Sequence, residues 1–126
     1  MLAADQRLRR ADDFAAVIRR GRRAARDGLV VHVYARDLVG RPPAGDRPDV
    51  VVPARAGFLV PRAVGTAVTR NTVRRRLRHA LRDELPRLSP GTDVVVRVLP
   101  AAAGQSFGEL REHLGAALAA ATRMGR

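Results

Sequence analysis

The sequence contains no cysteine, no tryptophan and no lysine. Without cysteine there is no disulfide framework, no thiolate metal site and no cysteine nucleophile. Aromatic residues make up only 3% of the chain, namely Phe14, Tyr34, Phe58 and Phe107. No apolar run approaches the roughly 18 residues that a membrane-spanning helix needs. Residues Met1 to Arg10 lack the apolar stretch of a signal peptide, so a cytoplasmic protein with no membrane partner is expected. The three histidines, His32, His79 and His113, form no paired helical motif and sit beside no plausible carboxylate ligand set. The sequence therefore supports neither a protein-borne metal site nor a Ser-His-Asp triad, and no catalytic residue is assigned.

What is present is positive charge. The 126 residues, 46% hydrophobic and 29% charged, suit a single domain spanning positions 1–126. Twenty-four basic residues, all of them Arg, face 12 acidic ones, for a net charge of +12. A GC-rich genome also replaces Lys by Arg, so the sum of charge says more than the choice of residue. That sum points to a polyanionic partner, with nucleic acid the first candidate. The excess is unevenly spread. Residues 1–27 carry eight Arg and four Asp, whereas residues 28–49 and 83–126 are each neutral. Between Asp49 and Asp83 lie 33 positions without an acid, yet with eight Arg: Arg55, Arg62, Arg70, Arg74, Arg75, Arg76, Arg78 and Arg82. A segment that excludes acids reads as a phosphate-facing surface, because an ordinary solvated surface mixes its signs.

Periodicity places these segments on elements. Asp12-Asp13-Phe14 opens a short helix that closes at Arg19-Arg20-Gly21, with Phe14, Val17 and Ile18 at helical spacing. Leu29 to Arg36 alternates as a strand: Leu29, Val31, Val33 and Ala35 face one way, and Val30, His32, Tyr34 and Arg36 the other. Asp37 to Asp49 is dense in Pro, Gly and Asp and reads as a surface loop. A second strand is expected near Ala56 to Val60, preceded by an extended piece at Val50 to Val52. A third, Asp93 to Leu99, is almost wholly apolar and belongs at the centre of a sheet. Ser106 to Glu109 has the capping-box pattern and starts a helix whose stripe is Phe107, Leu110, Leu114, Ala117, Leu118 and Ala121. The order helix, strands, helix, strand, helix predicts an α+β fold with helices packed on a small mixed sheet.

The remaining helix, from Ala67 or Arg70 to Leu85, stops at Pro86. Val73, Leu77, Ala80, Leu81 and Leu85 make its core stripe. Asn71, Arg75, Arg78 and Arg82 follow the spacing i, i+4, i+7, i+11 beside that stripe and reach along about 16 Å, a row able to meet several phosphates. Arg70 and Arg74 lie near the helix start, and Arg76 points away from the row. No acid supports these Arg at i±3 or i±4 before Asp83, which disfavours a merely solvated face. The strands argue against an all-helical DNA reader, so RNA rather than DNA is the expected partner. Tyr34 and His32 on the mixed strand face, with Phe14 and Ile18 on the short helix, are candidate walls of a base-stacking groove; periodicity leaves packing open for each. Phe58 and Phe107 read as core.

The stretch Arg55 to Arg78, RAGFLVPRAVGTAVTRNTVRRRLR, resembles the signature of the bacterial ribonuclease P protein subunit. Matching positions are Gly57, Val60, Arg62, Gly65, Ala67, Val68, Arg70, Asn71, Arg74, Arg75 and Arg78. Arg7-Leu8, Asp13-Phe14, Val17 and Gly21 are similar to that family's opening motif. The resemblance implies an α/β sandwich with a left-handed crossover. It also implies a protein that binds a catalytic RNA and the 5′ leader of precursor tRNA, while the RNA, with magnesium held mainly by RNA and substrate, cleaves the phosphodiester. By position, Arg70, Asn71, Arg74, Arg75 and Arg78 would contact the RNA subunit, joined in the candidate set by Arg62 and Arg82. Phe14, Ile18, Val30 and His32 would line the leader cleft, with Tyr34 beside them. Two departures stand out. Thr72 occupies the third position of the family's Arg-Asn-Arg run, with Arg76 the candidate substitute, and Ile18 and His32 stand where aromatics are common. The alternative reading is a ribosomal or RNA-assembly protein with no link to cleavage.

Overall fold

Two seven-residue, valine-rich strands create the centre of the fold. The structure, a computed structural model, describes residues 6–35 and 54–123. Strand β2 (Leu29–Ala35) pairs antiparallel with β4 (Thr92–Val98), and β3 (Arg55–Leu59) runs parallel to β4 on its other side. Strand β1 (Arg22–Arg26) pairs antiparallel with β2, which gives the order β1-β2-β4-β3. β4 thus occupies the inner position expected from its apolar sequence, and Val94, Val95 and Val96 are fully buried. The Asp37 to Asp49 loop and the Val50 to Val52 piece lie outside the described residues.

Periodicity does not anticipate β1. Its sequence, Arg-Arg-Ala-Ala-Arg, buries only Ala24. The strand is imposed by the turn that follows: Asp27 and Gly28 both have positive φ, 43° and 90°, between the paired residues Arg26 and Leu29. Two residues with φ > 0 form the type I′ turn whose twist matches a hairpin, and Gly adopts that conformation at little cost.

The alternation of β2 and β4 separates the two faces of the sheet. Leu29 and Val31 lie beside Val98 and Val96 on one face, where they meet helix α2 (Ala67–Glu84) and helix α3 (Phe107–Arg123) in the main core. The whole expected stripe of α2, Val73, Leu77, Ala80, Leu81 and Leu85, is buried there. Each such Leu or Val contributes on the order of 1.5–3 kcal/mol relative to exposure. The α3 stripe is buried from Leu110 to Ala121, but Phe107 remains 38% exposed. The first helical residue precedes the point where α3 reaches the sheet, so Phe107 is not core. Phe58 is half-buried against the same cluster.

Local chemistry sets the ends of these helices. The Thr66 hydroxyl accepts from the Thr69 amide at 3.2 Å and caps α2, which ends before Pro86 in one 3₁₀ turn, Leu85–Arg87. Ser106 and Glu109 satisfy each other's amides reciprocally, at 3.1 and 3.0 Å, as the capping-box spacing predicts. The hydrogen bonds from Ser106 lower the pKa of the Glu109 carboxyl from its ordinary value.

The opposite face is covered by a single short helix, α1 (Ala11–Arg20), through Val17, which sits with Leu8 on Val95. One helix cannot cover four strands, so part of this face stays open. No helix among the described residues is long and apolar enough to cross a membrane.

Candidate nucleic-acid interface

Helix α2 presents its charged residues away from the core. Asn71, Arg74, Arg75, Arg78 and His79 line one shallow hollow of about 310 Å³. The structure therefore brings together four of the predicted residues and adds His79, which the spacing i+8 from Asn71 would have identified. The Arg74 guanidinium donates to Asn71 Oδ1 at 2.7 Å, which orients both side chains. Arg70 donates through Nε to the Gly65 carbonyl at 3.2 Å and is half-buried at the helix start. Arg62 and Arg82 are exposed but do not line the hollow.

The charge in this hollow is crowded. Burial first, then Arg74 and Arg7, lowers the pKa of the Arg78 guanidinium from its ordinary value. Arg7 arrives from the N-terminal segment, which joins the β3 edge through a bridge to Ala56 and the bond from the Leu8 amide to the Ala56 carbonyl at 2.8 Å. Like charges so placed repel one another, and an anion among them relieves that repulsion.

Two arginines of the acid-free segment have other tasks. Arg55 forms a two-pronged bond with Asp93, at 2.9 and 2.8 Å, and lies 3.6 Å from Asp13. The bond to Asp93 raises the Arg55 pKa. Asp93 is distant in sequence, and only the parallel register of β3 and β4 sets the two residues side by side. Arg76 donates to the Gln105 carbonyl at 2.8 Å on the α3 side, so it does not replace the cation missing at Thr72. The reading of the entire segment as phosphate-facing is corrected at these two positions.

The second site lies where α1 crosses the open face. Phe14, Ile18 and Tyr34 are partly buried around Leu8, Val17 and Val95, and Val30 is partly buried farther along β2. The Phe14 ring rests on Gly57, where the missing side chain leaves room for it. His32 is placed differently from expectation. It is only 2% exposed, and neither ring nitrogen has a hydrogen-bond partner. It forms the floor beneath the surface rather than a wall of the cleft. Its desolvation, reinforced by Arg97 and Arg23, lowers its pKa and so favours the neutral imidazole. No spacing along the chain relates these two arginines to His32, and the strand register explains them: Arg23 lies opposite His32, and Arg97 lies opposite Val30. The face is thus an apolar patch beside two cations, a combination that accommodates bases and phosphates together.

Among the described residues no group of three or more His, Asp or Glu side chains is placed to hold a metal ion.

The comparisons with known proteins agree with this architecture. The family model for ribonuclease P matches residues 2–122. The ribonuclease P protein component of Salinispora tropica is 51% identical over 127 residues, covering 96% of this chain and 93% of its own. That of Streptomyces avermitilis is 49% identical over 118 residues, covering 94% and 93%. The solved RNase P protein of Staphylococcus aureus has a TM-score of 0.74 at 20% identity, covering 92% of this chain and 94% of its own. That of Thermotoga maritima has a TM-score of 0.68 at 24% identity, covering 93% and 96%. The structural likeness concerns the fold, whereas the family match and the two close relatives settle kinship: the chain belongs to the ribonuclease P protein family.

Proposed function

We propose that this chain is the protein subunit of a ribonuclease P that holds a catalytic RNA on α2 and the 5′ leader of precursor tRNA in the cleft beneath α1. As a ribonuclease P protein component it serves tRNA 5′ processing as part of an endoribonuclease. The observation that carries the finer reading is the segregation of two unlike surfaces. The α2 hollow is a cluster of guanidiniums suited to repeated phosphate contacts. The α1 cleft is apolar at Phe14, Ile18, Val30 and Tyr34 and cationic at Arg23 and Arg97, which suits an unpaired strand. Neither surface holds a nucleophile beside a base, so bond cleavage is assigned to the RNA, and the magnesium it requires to RNA and substrate. Protein residues contribute by orienting and neutralising.

Precursor tRNA incubated with protein alone, RNA alone and both together tests this reading. The expected result is no cleavage by the protein, and cleavage by the RNA at lower magnesium once protein is added. Cleavage by RNA-free protein, or an RNA whose activity ignores the protein, would refute it. Ribosomal RNA as the copurifying species would point instead to an assembly protein.

A further inference from the structure

Neither surface uses the basic excess of the first 27 residues in full. Arg19, Arg20, Arg22, Arg23 and Arg26 fall within eight positions that contain no acid. This run joins the end of α1 to β1, the edge strand farthest from β3. The α2 hollow faces the other edge, since Arg7 reaches Arg78 from beside β3.

At the β1 edge an open groove of about 580 Å³ is lined by Arg20, Arg22 and Arg87. The three come from the end of α1, the start of β1 and the turn that follows α2. Only folding brings Arg87 to the other two, so the cluster is not a mere sequence run. Among the described residues no acidic side chain lines the groove, while Tyr34 and Ser89 add hydroxyl groups. Among the described residues, neither Arg20 nor Arg87 is held in an ion pair. Guanidinium forks on several walls with hydroxyls between them match phosphate oxygens better than they match a small apolar ligand. Tyr34 borders both this groove and the α1 cleft.

We propose that this groove is a third RNA contact, a phosphodiester site in which Arg20, Arg22 and Arg87 grip one strand at the β1 edge. The proposal rests on the RNA-binding role given above and adds a site on the far side of the molecule. The strand belongs either to the RNA subunit or to the substrate, since the phosphate chemistry is common to both.

The test uses the full chain reconstituted with its RNA, and compares Arg20→Gln/Arg87→Gln with Arg75→Ala/Arg78→Ala. Affinity for the RNA subunit, and affinity of the assembled particle for precursor tRNA, are each measured across a salt series. Loss of two contacts to a single strand should weaken one of these affinities on the order of tenfold and flatten its log–log salt slope by about 1.4. A loss confined to the first affinity assigns the strand to the RNA subunit, and one confined to the second assigns it to the substrate. Unchanged affinities and slopes for the groove variant overturn the proposal, whatever the α2 variant does. An unchanged α2 variant separately counts against the RNA-binding reading of α2. Both groove positions are exposed, so the unfolding midpoint should stay constant. Should it fall, single Arg→Lys variants, which keep the charge but lose the fork, should show intermediate binding; wild-type binding from them and from the single Gln variants would overturn the proposal.

Discussion

Replacing Gly57 by Ala should separate the cleft from the rest of the molecule. An ideal Cβ at this position falls 2.5 Å from Phe14 Cε1, closer still to Cζ, and 3.1 Å from Leu8 Cβ. Carbon atoms in ordinary contact stay about 3.5–4.0 Å apart, so the ring must retreat by about 1 Å or more. Among the described residues the glycines with positive φ are Gly28, Gly65 and Gly91, so Ala at 57 meets no left-handed backbone and the penalty is steric. Overpacking of this kind costs about 1–3 kcal/mol, partly offset by the roughly 0.4–1 kcal/mol that Ala gains through a less flexible unfolded chain. A net loss of about 1–2 kcal/mol in urea unfolding is expected. Because Phe14 sits on α1, the displacement widens or tilts the cleft while leaving α2 on the other face in place. Precursor tRNA should bind the reconstituted particle more weakly, with the affinity for the RNA subunit retained. Phe14→Leu removes the clashing ring atoms, so the double variant should recover about 1 kcal/mol relative to additivity. A Gly57→Ala protein as stable as the parent, or one whose loss is independent of Phe14, would refute this packing.

Two further predictions concern the same face. Arg55→Met should destabilise the fold by about 3 kcal/mol, because it leaves the Asp93 carboxylate, 2% exposed, without its two-pronged partner; a midpoint shift below about 1 kcal/mol would show that the pair is dispensable. Burial lowers the His32 pKa from 6.5 in the folded chain, so the unfolded chain binds the extra proton and stability falls as pH drops below 6.5. The loss attributable to His32 is at most about 1.4 kcal/mol at pH 5.5. In His32→Leu the difference in urea midpoint between pH 7.5 and pH 5.5 should shrink, and an unchanged difference would exclude His32 as its source.

Much of this architecture is legible in residue order, and the exceptions share a cause. The apolar stripe of α2, the inner position of β4 and the Ser106 to Glu109 cap follow from spacing, because each depends on neighbours a few positions away. β1 escaped periodicity since an edge strand that buries only Ala24 has no alternation to detect; the Asp27-Gly28 pair before Leu29 was its one readable signal. The α2 hollow was readable because a helix maps spacing onto a face. The pairing of Arg55 with Asp93 was not, since it depends on strand register across the sheet. The same is true of Arg23 and Arg97 flanking His32, whereas Arg76 reaching Gln105 depends on how α2 meets the turn before α3. Alternation sets His32 on the correct face of β2, but its depth, 2% exposed, is a property of tertiary packing that spacing along one strand does not carry.

The central claim is that two faces of one small domain hold different RNAs. Its most direct measurement is a pair of titrations on Arg75→Ala/Arg78→Ala and on Phe14→Ala: protein against RNA subunit, and assembled particle against precursor and mature tRNA. The α2 variant should lose RNA-subunit affinity with a flatter salt slope. Phe14→Ala should keep that affinity and lose the preference for precursor over mature tRNA. If both variants weaken the same titration and spare the other, the two surfaces do not have separate partners and the account fails.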